Sequence, residues 1–197
     1  MKHLIICILC LLPLIGFGQV RVGLAGGGFF GNNDQGVIGG LVVQKDLGGF
    51  GGIHIGIQYI EKPTNLSILN DNPEQDLIRP RIQYLSLPIH YQYYFSVQQF
   101  RLGLYGGPYI AYGLGGTLYD QQKEENLPIQ FEKMGIHRID YGLHLGAGIE
   151  LDLLHSKRMF IKGFYGLGLR DLDKKESDAF SEGVGFLMGF MVPFGKN

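Results

Sequence analysis

Three histidines, His54, His90 and His144, are the residues in this chain best suited to chemistry, together with Arg101, Glu150 and Arg170. Each falls on the polar or small-residue parity of an alternating run. Imidazoles, a carboxylate and guanidiniums converging from separate strands can do one of two things. They can hold an ion or small ligand, or they can satisfy one another's charges and hydrogen bonds inside a closed space. Metal sites place their ligands at recurrent short spacings, and the spacing of these histidines fits no such motif. The pattern therefore predicts a polar network that fills an interior, with no metal and no cofactor.

Nucleophilic catalysis asks for a Ser or Cys beside a base. His144 is followed by Leu145 and Gly146, and His137 lies near Asp140, but neither has a Ser neighbour; Ser177 and Ser181 fall on another loop. There is no Gly-x-Ser-x-Gly elbow and no His-Glu-x-x-His run. The reading is that the chain has no catalytic residues and is not an enzyme; a lipid-modifying barrel enzyme is the weaker alternative. Gly23–Gly28 is glycine-rich, yet its spacing is wrong for a phosphate loop and no helical pattern follows it.

The elements that would carry these residues are strands. In Asp140–Asp152 every second residue from Tyr141 to Leu151 is apolar, and the residues between are Gly142, His144, Gly146, Gly148 and Glu150. A period of two with one apolar and one small face is a strand whose small face lies against something close. In a narrow closed barrel the small face lines the lumen and the apolar face points outward, where only lipid suits it. Seven further runs repeat the rhythm: about Val20–Phe30, Gly36–Lys45, Gly51–Lys62, Arg81–Phe95, Phe100–Tyr119, Arg158–Arg170 and Glu182–Phe194. Pro88 lacks a ladder donor, so a bulge or gap is expected there. Phe160 falls on the inward parity, out of step with the aromatic girdle suggested by Phe95, Phe100 and Phe194.

The connections sort by length. Asp46–Phe50, Ser96–Gln99 and Leu153–Lys157 are short, whereas Pro63–Pro80, Asp120–Ile136 and Asp171–Ser181 are long and polar, and only Gly31–Gln35 breaks the rule. Short turns at one end and long loops at the other are the habit of outer-membrane barrels. The mixed charges of the long loops suggest a solvated rim where an envelope or secretion protein would dock.

Composition agrees. Met1–Gly18 has Lys2, an apolar stretch Leu4–Ile15, and small residues at Gly16 and Gly18, which reads as a signal peptide cleaved before Gln19. Both cysteines, Cys7 and Cys10, lie inside it, so residues 19–197 form one cysteine-free domain held by something other than disulfides. Without Lys2, 16 Lys and Arg face 18 Asp and Glu, and the lack of a basic stripe argues against nucleic acid. The 32 glycines among 197 residues are about twice the usual ~7% and sit inside the apolar runs, so they are not a linker.

The runs Tyr84–Phe95, Arg101–Leu114, Asp140–Leu151 and Phe164–Leu172 resemble the PorT-like outer membrane protein β-barrel family of Bacteroidetes, over nearly the whole of residues 19–197. The resemblance implies a porin-like barrel, an outer-membrane location and, as one alternative, an accessory subunit of a secretion apparatus; it brings no catalytic motif. The expected fold is thus all-β, an eight-stranded antiparallel transmembrane β-barrel with a narrow filled lumen. The expected role is structural, adhesive or accessory in the envelope, with outer-membrane lipid as the surrounding partner. A lipocalin-like carrier would need the opposite parity, apolar inside and polar outside. On cell fractionation the protein should partition with outer membranes and require detergent for extraction; recovery from soluble periplasm would refute the lipid-facing assignment.

Overall fold

The computed structural model describes residues 19–31, 34–48, 51–63, 79–120, 125–133, 135–153, 157–171 and 180–195. The candidate signal peptide, Ser177, and most of the Pro63–Pro80 and Asp171–Ser181 loops lie outside these residues. The strands are β1 (Val20–Gly31), β2 (Asp34–Asp46), β3 (Gly51–Pro63), β4 (Arg79–Val97), β5 (Phe100–Asp120), β6 (Glu125–Pro128), β7 (Ile139–Asp152), β8 (Arg158–Asp171) and β9 (Phe180–Phe194).

Eight of them form a closed antiparallel ring. Each strand from β1 to β5 pairs with the next, β5 pairs with β7, β7 with β8, and β8 with β9. The ring closes where β9 returns to β1, from Val20↔Phe194 to Phe30↔Val184. The short β6 pairs only with the far end of β5. Closure gives every barrel strand a paired neighbour on both sides, which is what a lipid environment demands. The β4–β5 turn is a two-residue one: Val97 faces Phe100, and Gln98 adopts a positive φ of 56°, the left-handed conformation that two-residue hairpin loops favour.

Pairing skips Pro88 on the β3 side, passing from Ile55↔Ile89 to Gln58↔Ser86, because its ring nitrogen has no hydrogen to give. A register shift occurs nearby, between Gln83 and Tyr84 of β4.

Parity decides which face is which. Leu24, Leu41, Ile57, Leu104, Ile110, Leu145, Ile161 and Met188 point outward and are exposed; Leu145 is 66% accessible. Arg21, Gln44, His54, His90, His144, Glu150 and Lys162 point inward and are buried. This is the reverse of a soluble carrier. Phe95, Phe100 and Phe194 are exposed near the short-turn end, whereas Phe160 is buried in the lumen.

The glycines explain how so narrow a lumen admits large rings. Tyr105 and Tyr109 of β5 lie directly opposite Gly146 and Gly142 of β7. Phe160 and Phe164 of β8 lie opposite Gly189 and Gly185 of β9. A Cβ on Gly146 would run into the Gly163 carbonyl oxygen and come within 2.7 Å of the Tyr105 ring; one on Gly142 would run into the Leu167 carbonyl and come within 2.8 Å of Tyr109. Each ring thus lies across the glycine facing it on the next strand. The volume of an absent side chain is filled by its neighbour, keeping the interior at the density that stable packing needs. A serine at Gly146, which parity alone suggests as a mild change, has no room even for its Cβ.

The long Asp120–Ile136 connection departs from a fully solvated rim. Glu132 and Lys133 are exposed, but Ile129, Phe131 and Ile136 are buried. Cβ atoms on Gly113 and Gly116 of β5 would meet Phe131 and Ile129, each at 2.6 Å. The segment folds back over the inner face of β5 and caps the barrel with hydrocarbon.

Leu145→Arg should cost roughly 2–4 kcal/mol, as charges near the midplane of a lipid face do. Gly146→Arg should fail to fold, and Gly146→Ser should be impaired as well. Heat-modified gel mobility after refolding into detergent reads all three; wild-type folding of Gly146→Arg would refute the packed lumen.

Candidate functional site

The polar side chains of the lumen form three layers. The layer at the short-turn end is ionic. Arg158 of β8, wholly buried, reaches Asp152 at 2.7 Å and Glu150 at 3.0 Å, both on β7, and Asp46 of β2 at 3.4 Å. Arg21 of β1 contacts Asp46 at 2.8 Å, and Arg101 of β5 contacts Asp152 at 2.9 Å and Asp46 at 3.3 Å. Gln44 donates to Tyr94 Oη at 2.8 Å and to Glu150 at 3.2 Å. Lys162 stands 3.2 Å from Glu150 and 4.9 Å from the centre of the Phe160 ring, a cation–π contact. Six strands, β1, β2, β4, β5, β7 and β8, are tied together across the mouth.

The middle layer is imidazole and aromatic. His90 Nε2 lies 3.1 Å from His144 Nδ1. His54 stacks on His90, with ring centres 5.8 Å apart. His144 stacks on Tyr109 and packs against Phe164, each at 4.4 Å, and Phe160 meets His54 edge-on. A hydrogen bond between two imidazoles needs one nitrogen to donate and the other to accept, so it engages one nitrogen of each ring. Among the described residues, no group of three or more His, Cys, Asp or Glu is placed to hold a metal ion.

The layer nearest the loops centres on Lys62 of β3 and Asp140 of β7, 2.7 Å apart and 3% and 0% exposed. Lys62 Nζ also donates to Ser181 Oγ at 2.9 Å and to Tyr109 Oη at 3.1 Å, and Ser181 donates to Asp140 at 3.1 Å. A Ser with a Lys at this distance has the outline of a nucleophile with its base. Here the ammonium is neutralised by a carboxylate, and Ser181 is buried. The arrangement satisfies buried charge.

The structure therefore brings His54, His90 and His144 together in one layer and places Glu150 in the ionic layer below. Arg101 and Arg170 stand apart from both the histidines and each other. Arg101 guards the short-turn mouth, whereas Arg170 lies toward the loops, 3.0 Å from His137. Lys62, Asp140 and Ser181 are the charged cluster that motif reading passes over. Lys62 shares the parity of His54 and Asp140 that of His144, so extending each alternation to the end of its run would have found them.

A closed ring of eight strands, apolar without and polar within, defines a transmembrane β-barrel. Residues 18–174 match the family described as "Outer membrane protein beta-barrel domain", and the chain belongs to it, as an outer-membrane protein. No curated protein matches the chain. Among solved structures, a major outer membrane protein from Thermus thermophilus is similar at 14% identity and a TM-score of 0.55, over 90% of this chain and 99% of that one. Neisserial surface protein A is similar at 11% identity and a TM-score of 0.52, over 90% and 97% of the two chains. At these identities the likeness is one of fold.

Removing one member of the Lys62–Asp140 pair leaves the other buried and uncompensated. Asp140→Leu or Lys62→Met alone should destabilise the barrel by about 3–5 kcal/mol, and the double variant by clearly less than the sum. Urea unfolding in detergent, followed by gel mobility, measures this; additive losses would show that the two groups are not coupled.

Proposed function

We propose that this protein is a porin-like barrel by fold but a closed one in action, with a structural, adhesive or accessory role at the cell surface and no catalysis. The observation that carries the reading is the continuous filling of the lumen. An ionic mouth, an imidazole layer, the Lys62–Asp140 cluster and the Ile129–Phe131–Ile136 cap succeed one another along the axis. Eight strands enclose only enough space for side chains, and here that space is occupied. What remains available to the surroundings is the outer face, in lipid, and the loops. The same kind of barrel serves Neisserial surface protein A, a surface protein by name.

Export follows from reading Met1–Gly18 as a signal peptide removed before Gln19. The alternative role, as accessory subunit of a secretion apparatus, is supported by the four runs that resemble the PorT-like family. It shares the filled lumen and differs in the partner that the loops would meet.

In a planar lipid bilayer the refolded barrel should give no stable stepwise conductance. Large, long-lived openings would refute the reading, since they require a path through side chains that the structure packs together.

A further inference from the structure

The outer face carries a groove of about 610 Å³ on β4, β5, β7, β8 and β9. Its floor is Ala147 and Gly163, which face each other across the β7–β8 ladder. Leu104 and Phe186 are the next residues outward on the same rung, and Ile149 and Ile161 line the side nearest the short turns. On the loop side the next rung carries Leu145 and Tyr165, both exposed. We propose that this groove binds one acyl chain of a glycerophospholipid from the periplasmic leaflet, with the lipid phosphate at Lys157.

Position and shape select the occupant. The groove lies in the apolar belt of a membrane barrel, where hydrocarbon surrounds it on every side. In such surroundings association depends on close contact rather than on water exclusion, and a recess that accepts a chain between ridges offers more contact than the open belt. Phe95, Leu102, Ile149, Ile161 and Phe186 line the groove around that floor, so a single chain can lie between them. The volume is in the range typical of small-molecule sites.

Charge supports the same occupant. Lys157 is exposed at the short-turn end of β8, where its carbonyl accepts from the Leu153 backbone N–H at 2.7 Å. It shares the outward parity of Met159, Ile161 and Gly163. Six residues of strand separate it from Gly163, roughly 20 Å before strand tilt shortens the depth. Short turns lie on the periplasmic side of such barrels. A cation at headgroup depth and a recess at chain depth thus lie on one strand, in the order in which a phospholipid presents its phosphate and its tail.

The test is native mass spectrometry of the full-length barrel refolded with phosphatidylglycerol and phosphatidylethanolamine and released from mild detergent. Wild type should retain one phospholipid and favour phosphatidylglycerol. Ala147→Leu and Gly163→Leu should lower retention several-fold. Lys157→Gln should keep the lipid but lose the headgroup preference, and Leu41→Phe, on the far side of the belt, should change nothing. Gly163→Ala supplies a milder filling that folds, because its Cβ would meet the Phe186 ring at 3.5 Å, an ordinary contact; it should give partial loss. Equal retention by the filled variants would overturn the proposal. So would a wild type that retains no lipid, or one isolated as a dimer that Ala147→Leu separates while lipid content stays the same. The bilayer conductance of wild type reports separately on the closed lumen, which this groove does not enter.

Discussion

The constraint on which the rest depends is the absence of hydrogen-bond partners in hydrocarbon. Every peptide group at membrane depth must find another peptide group, so the sheet has to close. With eight strands the resulting ring is narrow. Narrowness then dictates composition. Large rings find room where the facing inward position is empty, and the chain sets glycine opposite tyrosine or phenylalanine at Gly142 and Tyr109 and at Gly185 and Phe164. The glycine content that first looks like looseness is the condition for dense packing.

The same narrowness explains why charge is distributed as it is. A lumen too tight for bulk water must neutralise its own ions. It does so in two clusters, Lys62 with Asp140 toward the loops and Arg158 with Glu150, Asp152 and Asp46 toward the short turns. Between them lie the histidines, whose flat rings stack with Tyr109 and Phe164. Buried ion pairs are poor sources of net stability. Their value here is specificity of register, because slipping β7 by one residue against β8 would turn Glu150 toward lipid and Leu151 toward Arg158.

Much of this was legible in the residue order, because the alternation has a period of two and each strand reports its own two faces. The inward placement of His54, His90, His144 and Glu150 follows from parity alone, as does the outward placement of Leu145. Which residue faces which was not legible. The opposition of Tyr105 to Gly146 depends on register between strands, and one strand's pattern carries no information on that. The cap was missed for another reason: Ile129, Phe131 and Ile136 are spaced among charged and polar neighbours in a segment with no period, so only the tertiary fold shows that they turn inward. Arg101 and Arg170 have the inward parity of the histidines, but they sit at the ends of their strands, where long side chains reach the mouths rather than the middle.

The Lys62 cluster has a consequence for how the barrel is made. Its members come from β3, β5, β7 and β9, and the Lys62–Ser181 bond spans 119 positions in the chain. Lys62 cannot meet Asp140 or Ser181 until the sheet has curled round, whereas Tyr109 and Asp140 already lie on paired strands. A half-inserted sheet would carry a lone ammonium or carboxylate to the depth of the acyl chains, at a cost of several kcal/mol. Insertion one hairpin at a time is therefore opposed by the very charges that later hold the barrel together. The favoured order is closure first, or at the same moment as entry, so the ion pairs act as a clock on assembly as well as a clasp on the finished structure.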